Sequence, residues 1–303
     1  MSRYRGRFAP TPSGPLHFGS LIAALASHLD ARRAGGEWRL RIEDIDPPRC
    51  PAGAADAIQR QLEAFGLHWD GPVTWQHGRD AAYGAALARL TALGLAYPCS
   101  CSRKQWRDYP VYPGWCRDGV REPGKPVAWR LRSDLGLRPV VWRDRLFGAQ
   151  RFDPAEFGDV VLKRKDGLWA YQLAVVVDDA DQGISDVVRG FDLLDNTPWQ
   201  RQLQHALGYS EPRYLHLPLI LGDDGQKLSK QNLAPPLPTE DGAVRPLLHQ
   251  ALQALDQAPP VALARAPVAE QLAWAVAHWD AARIHPDPAR HRRDDDATAS
   301  PPA

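Results

Sequence analysis

The sequence predicts an α/β fold that carries an inserted, cysteine-bearing segment and ends in a short helical region. Three patterns predict it. Strand and helix periodicities alternate over residues 1–97 and again over 166–240, while cysteine, glycine and proline crowd the stretch from Tyr97 to Pro126. Two amphipathic stripes then follow the link Pro235-Pro236-Leu237-Pro238. The expected organisation is a first core half (1–97), an insertion (98–165), a second core half (166–240), a helical subdomain (241–285) and a tail without core-forming pattern (286–303).

The first strand is expected at Arg5 to Ala9, ahead of the turn Pro10-Thr11-Pro12-Ser13-Gly14-Pro15. A helix follows whose Leu21, Ile22, Leu25 and Leu29 share one face and which stops before Gly35-Gly36. Trp38, Leu40 and Ile42 alternate with Arg39, Arg41 and Glu43, the period of a strand, so Glu43 emerges at its end. Helices are expected over Ala54 to Phe65 and Arg79 to Leu93, with Gly66 and Gly94 as stops. In the insertion, Val127 to Leu131 reads as a strand. The core resumes with an expected apolar strand from Trp169 to Val177, closing on Asp178-Asp179, and a second at Val187-Val188. A helix from Asn196 to Gly208 and a buried strand from Leu215 to Leu221 complete it, before the polar turn Gly222-Asp223-Asp224-Gly225. Leu247, Leu248, Leu252 and Leu255, then Val268, Leu272, Val276 and Trp279, mark the last two helices.

With 303 residues, 44% of them hydrophobic, the chain has material for one large or two modest cores. Its 37 basic and 36 acidic residues leave a formal charge of +1, which excludes a histone-like polybasic protein but not a local basic surface such as Arg103, Lys104 and Arg107. No apolar run approaches the roughly 20 residues of a membrane span, and the opening residues are not followed by a secretory segment, so no membrane partner and a cytoplasmic setting are expected. With no coiled-coil signal, a monomer is expected.

Four groups of residues carry chemistry. In PTPSGPLHFGS (residues 10–20), His17 and Ser20 stand three apart near a helix N-terminus, where unpaired amides favour phosphate. Gly14 and Gly19 permit close backbone approach to a nucleotide; an ordinary packed histidine with turn glycines remains the alternative. In RIEDID (41–46), Glu43 suits a ligand ammonium and Arg7 a carboxylate, whereas Asp44 and Asp46 are equally explained by turn hydrogen bonds before Pro47. Tyr171, Asp178, Asp179, Arg189 and Asp192 gather around the resumed core, where Arg189 either clamps a carboxylate or pairs with Asp186 or Asp192. The loop GQKLSKQN (225–232) brings Lys227 and Lys230, with Ser229 between them, to phosphates or simply to solvent.

The metal candidates stand apart. Cys99-x-Cys101 and Tyr112-x-x-x-Cys116 supply three thiols and a phenol at spacings that suit structural zinc, in a segment poor in apolar residues. Three reduced, non-ligating cysteines are the alternative. The fourth ligand stays open among Tyr112, Tyr109, Asp108, Asp118 and water, and Cys50 has no close partner.

HFGS and KLSK resemble the HIGH and KMSKS motifs of class I aminoacyl-tRNA synthetases. Together with RIEDID, YQLAVVVDD (171–179) and VRGFDLLDNTP (188–198), they resemble the glutamyl branch over residues 5–240. The resemblance implies a Rossmann-like class I synthetase catalytic domain, ATP with Mg²⁺, and L-glutamate held by Arg7, Glu43, Tyr171 and Arg189, with Ala9 and Ser13 along the pocket entrance. Pro10, Thr11, Gly14, His17, Gly19, Ser20, Lys227, Leu228, Ser229 and Lys230 are implied at the nucleotide, with His17, Ser20, Lys227 and Lys230 acting in catalysis. A discriminating glutamyl synthetase continues through a substantial anticodon-binding region, for which residues 241–303 are too few. That brevity and the CxC and YxxxC arrangement resemble the branch's truncated members. They imply Zn²⁺ at Cys99, Cys101, Tyr112 and Cys116, and transfer of activated glutamate to the queuosine cyclopentenediol at the wobble position of tRNA(Asp).

Overall fold

A computed structural model describes residues 3–135, 140–221 and 235–291. The first half is β1 (Arg5–Phe8), α1 (Phe18–Arg33), β2 (Glu37–Ile42), α2 (Ala54–Ala64), β3 (Thr74–Trp75), α3 (Asp80–Ala92) and β4 (Ala96–Cys99). Next come β5 (Ala128–Leu131), β6 (Val140–Asp144), β7 (Gly148–Phe152), α4 (Pro154–Phe157) and β8 (Val161–Lys163). The second half has α5 (Tyr171–Asp181), β9 (Asp186–Gly190), α6 (Thr197–Leu207), β10 (Arg213–Leu217) and β11 (Leu219–Leu221). It is followed by α7 (Asp241–Ala254), α8 (Val268–His278) and β12 (Ala289–His291).

Two sheets meet where β1 lies beside β9. On one side β1, β2 and β3 pair in parallel; on the other the order is β7-β6-β10-β9, with β6, β10 and β9 parallel. Ser185, leading into β9, ties the halves together: its N–H donates to Arg5 O at 2.9 Å, and its Oγ accepts from Arg5 N at 2.9 Å. From this seam the chain leaves β1 toward β2 in one direction and β9 toward β10 in the other. The carboxyl ends of β1 and β9 therefore border the kind of crevice in which open α/β sheets bind ligands. The architecture is the Rossmann-like one.

Within 98–165 two arrangements coexist. Strands β4, β5 and β8 form their own antiparallel sheet, while the β6–β7 hairpin adds to the edge of β10 and so joins the sheet of the second half.

The expected strand from Trp169 to Val177 is instead the start of α5, which buries every residue from Gln172 to Asp179. A helix buried on all sides gives no clean 3.6-residue stripe, and its β-branched valines look like strand. The expected strand Leu215 to Leu221 is cut at Pro218, which has no N–H for a ladder; beyond it β11 pairs with β12. Residues 289–291, expected in a loose tail, thus form a strand. Arg41, on the polar side of the alternation read in β2, has no exposed side-chain surface, because α5 covers that face.

The main core runs from β1, α1 and β2 through α2 into the C-terminal helices, and includes Leu25, Leu29, Trp38, Leu248, Leu252 and Trp279. A second cluster joins α3, α5 and α6 through Tyr83, Leu87, Leu173, Val176 and Leu203. Gly36 sits where only glycine fits: a Cβ there would overlap the Tyr4 carbonyl, which accepts from Glu37 N at 3.0 Å.

Candidate active site

Two adjoining cavities open at the seam. One, of about 140 Å³, is lined by Arg7, Ala9, Glu43, Tyr171 and Arg189, so five of the six residues expected around glutamate meet in one place. The other, of about 200 Å³, is lined by His17, Gly19 and Ser20 on one wall and Asp192 and Leu219 on the other. Ala23 and Gly190 border both. Thr11 lines a third opening, which shares Glu43 and Tyr171 with the first. Pro10, Ser13 and Gly14 line none of the three; they form the turn above them, with Ser13 N–H donating to Thr11 O at 2.8 Å and Pro10 O accepting from Glu43 N at 3.0 Å. Lys227, Leu228, Ser229 and Lys230 lie outside the described residues.

Each wall has a local cause. Arg7 projects from β1, whose last three residues are buried and which packs against α1. Glu43 follows β2 directly, and Arg189 stands one residue before the end of β9. His17 is the N-cap of α1, with extended backbone at φ −121° and ψ 175°, so the first amides of α1 face the larger cavity.

A buried charge network holds the smaller cavity. Arg7 donates Nε–H to Asp179 Oδ1 at 3.1 Å, and Arg41 donates an Nη1–H to the same oxygen at 2.8 Å. Arg41 also donates to Glu43 Oε1 at 3.2 Å and to Gln182 Oε1 at 2.7 Å. Burial pushes the Asp179 carboxyl up, but Arg7 and Arg41 outweigh it and hold the group below the usual range. For Glu43 burial wins: its carboxyl is raised despite Arg41 and Arg7, which leaves it poised to gain from a cationic ligand. Next to Asp179, Asp178 takes donors from Gln76 Nε2 at 2.7 Å, Tyr83 Oη at 2.9 Å and Arg79. Asp178 and Asp179 are therefore supports behind the cavity rather than part of its lining. The residues that sequence reasoning missed are Arg41, Gln182 and Gln76; only the charge of Arg41, one turn of the pleat from Glu43, hinted at a role.

Asp44 and Asp46 reach outward instead. Asp44 Oδ1 accepts from the backbone N–H of His77 at 2.9 Å, and Asp46 Oδ2 from Arg164 Nη1 at 3.2 Å. Arg103, Lys104 and Arg107 are exposed beside the cysteines.

The thiols of Cys99, Cys101 and Cys116 are buried and lie within 4.8 Å of one another. Cys101 and Cys116 Sγ are 3.6 Å apart, and Tyr112 Oη lies 3.2 Å from Cys99 Sγ and 3.6 Å from Cys101 Sγ. Zinc–thiolate bonds of about 2.3 Å make tetrahedral edges of about 3.8 Å, so the donor set fits that ion. Burial raises the Cys116 thiol, yet the Arg121 N–H, Tyr112 and other donors outweigh it and bring it to about 6, whereas burial carries Cys101 to about 11. Cys50 lies outside the cluster, its thiol on Asp46 O at 3.3 Å.

The chain matches the model for the catalytic domain of class I tRNA synthetases (E and Q) over residues 3–110 and 116–241. It is 55% identical over 284 residues to the glutamyl-Q tRNA(Asp) synthetase of Ectopseudomonas mendocina (strain ymp), covering 93% of this chain and 95% of that protein. It is also 57% identical over 286 residues to the enzyme of that name from Pseudomonas fluorescens, covering 93% and 94%. Among solved structures, a glutamate tRNA ligase from Elizabethkingia meningosepticum superposes with a TM-score of 0.80 at 23% identity, over 96% of this chain and 67% of that one, a likeness of fold. The fold, the matched catalytic domain and the near-full-length relatives agree: the chain belongs to the class I glutamyl and glutaminyl tRNA synthetase family and, within it, to the glutamyl-Q tRNA(Asp) synthetases.

Proposed function

We propose that the protein activates L-glutamate with ATP and transfers it to the queuosine cyclopentenediol at the wobble position of tRNA(Asp). The observation that carries this reading is the meeting of Arg7, Glu43, Tyr171 and Arg189 in one small cavity next to the N-terminus of α1. Two guanidiniums and one carboxylate match an amino acid with two carboxylates and one ammonium. Glu43 takes the ammonium; Arg7 and Arg189 take carboxylate oxygens; Tyr171 closes one wall, with Ala9 and Ser13 toward the entrance.

In the first step a glutamate carboxylate oxygen attacks the α-phosphorus of ATP, and pyrophosphate leaves with the electrons of the broken P–O bond. His17 and Ser20 donate toward the phosphates with the first amides of α1, while Pro10, Thr11, Gly14 and Gly19 form the nucleotide's bed. Lys227 and Lys230, with Leu228 and Ser229, are assigned to the leaving phosphates, a role supported by β11, which borders the nucleotide cavity and leads into that segment. Mg²⁺ accompanies the ATP. In the second step a cyclopentenediol hydroxyl attacks the adenylate's carbonyl carbon and AMP leaves. Zinc at Cys99, Cys101, Tyr112 and Cys116 fastens the segment between β4 and β5, and Arg103, Lys104 and Arg107 offer charge to the tRNA backbone. Residues 98–165 serve the tRNA, flanked by the core halves 1–97 and 166–240 and backed by helices at 241–285. A cytoplasmic monomer is the setting of this reading, and the free cysteines suit a reducing compartment.

The test follows radiolabelled glutamate onto matched tRNA(Asp) carrying either queuosine or guanosine at the wobble position. Label confined to the queuosine tRNA is expected. Label on both, lost when the terminal adenosine is removed, would make the protein an ordinary charging enzyme.

A further inference from the structure

Arg189 and His216 are register partners on the parallel strands β9 and β10, so their side chains leave the same face side by side. Arg189 donates Nε–H to His216 Nε2 at 3.0 Å and Nη1–H to Gln200 Oε1 at 2.8 Å. Its Nη2 donates to Thr197 Oγ1 at 2.8 Å and Leu193 O at 3.2 Å. A guanidinium carries five N–H bonds. Four therefore have protein partners, and the one that remains, on Nη1, has none among the described residues.

The bond from Nε requires a lone pair on His216 Nε2, and so a proton on Nδ1. Asp144, with almost no exposed surface, imposes that tautomer. Its oxygens accept from Leu146 N at 2.9 Å, Phe147 N at 3.0 Å and His216 N at 3.2 Å, and His216 Nδ1 lies 2.7 Å away. Each of the three backbone partners of the carboxylate is a donor, and an ionised carboxylate only accepts, so Nδ1 donates too. Burial, with Arg189 beside it, takes the imidazole down to about 4, against the opposing pull of Asp144, which keeps it neutral and able to accept. None of these bonds reaches the cavity directly; they act on the guanidinium that lines it.

We infer that His216, oriented by Asp144, is a positioning residue for glutamate recognition: it holds Arg189 so that a single Nη1 N–H is left for the substrate. The inference rests on the reading of Arg189 as a glutamate contact. It also gives the β6–β7 hairpin, which brings Asp144 to β10, a part in choosing the amino acid.

The test is ATP–pyrophosphate exchange by the full-length protein, with the KM for glutamate and for ATP measured separately, for His216→Asn, His216→Gln and Arg189→Gln. Asn keeps a donor for Asp144 but places no acceptor at the Nε2 position, while Gln places its Oε1 there. His216→Asn is expected to raise the glutamate KM about tenfold or more, as befits a lost hydrogen bond to a charged group, with the ATP KM within about twofold. His216→Gln should recover most of that loss, and adding Arg189→Gln to His216→Asn should cost less than the two separate effects combined. If Arg189→Gln raises the glutamate KM but His216→Asn does not, or if Asn and Gln lose equally, the positioning role is overturned while the glutamate pocket stands. If Arg189→Gln leaves the glutamate KM unchanged, the pocket reading itself fails and takes the inference with it. A fall in thermal stability with both KM values moving alike would make His216 merely structural. Should His216→Asn not fold, His216→Met, which lacks the acceptor at similar length, takes its place against His216→Gln.

Discussion

Arg7 and Asp179, 172 residues apart in sequence, form a buried ion pair at 3.1 Å that joins the first strand to the helix opening the second half of the core. Asp179 also takes Arg41, so one carboxylate fixes both a lining residue of the cavity and the arginine that steadies Glu43. Replacing one partner of a buried pair strands the other's charge, at a cost of about 3–5 kcal/mol. Asp179→Asn should therefore lower the urea midpoint sharply and raise the glutamate KM in pyrophosphate exchange. A variant as stable as the parent would show that the two guanidiniums find other acceptors.

Acid should weaken the fold in two stages. Burial keeps His28 down at about 3 and His216 at about 4, while the unfolded chain takes up those protons near pH 6.5. The unfolded state then binds more protons, so stability is full above about pH 6.5 and falls as pH drops from there toward the folded values. The carboxyls of Asp30, Asp144 and Asp159 are pushed up by burial yet held below the usual range by their donors: Arg145 for Asp30, His216 for Asp144 and Arg117 for Asp159. Their contribution is present above about pH 4 and is lost as pH falls through the depressed folded values. Denaturant midpoints at pH 7.5, 5.5 and 3.5 (about these values) should decline at both steps; a flat line between the first two would contradict the histidine stage.

The proposed zinc site offers a separate handle. Cys116→Ser should lower bound zinc, measured by elemental analysis, and reduce the thermal midpoint, because the segment between β4 and β5 packs around a small cluster of Tyr97, Tyr112 and the cysteines themselves, with Trp106 and Trp115 against it. Cys50→Ser, away from that cluster, should leave the zinc content unchanged. Equal zinc in both variants would remove the metal from this account.

Trp279 donates its indole N–H to Asp30 Oδ1 at 2.9 Å, and Asp30 also accepts from Tyr4 Oη at 2.5 Å and Arg145 Nη2 at 2.8 Å. Trp279→Phe retains an aromatic ring but loses that bond, and should cost about 1–2 kcal/mol in equilibrium unfolding without altering the ATP KM. A shifted ATP KM would mean that the C-terminal helices act on the site as well as on stability.

The strands and helices with one clean face were legible. The Pro198 start and Gly208 stop of α6, with Leu203 and Leu207 on its buried side, and the C-terminal leucines are of this kind; α1, buried at every residue from Ala24 to Ala31, was legible instead from the spacing of its leucines and the Gly35-Gly36 stop. The run from Tyr171 to Asp179 was not, because α5 is buried on all sides and its consecutive valines, Val175 to Val177, carry the β-branched signature of a strand. In the cavity, Arg7, Glu43, Tyr171 and Arg189 were legible as charged or polar candidates at strand ends and in the resumed core, and as positions of the resemblance, and the structure brings them together. Asp144 and His216 left no trace of their own, and Arg41 only its charge two residues before Glu43. What makes them matter is contact across 27 to 138 residues of chain, through hydrogen bonds that only the folded sheet creates.

The main hydrophobic cluster joins Leu25 and Leu29 of α1 to Leu248, Leu252 and Trp279, so the outer face of the first helix is covered by the last ones. During synthesis, that face leaves the ribosome long before its cover exists. The opening strand-helix-strand unit must wait, with leucines bare, for nearly the whole chain to be translated. A message truncated after the nucleotide motifs would yield a polypeptide holding most of its chemistry and lacking the lid of its own core, a substrate for chaperones and proteases rather than a smaller enzyme.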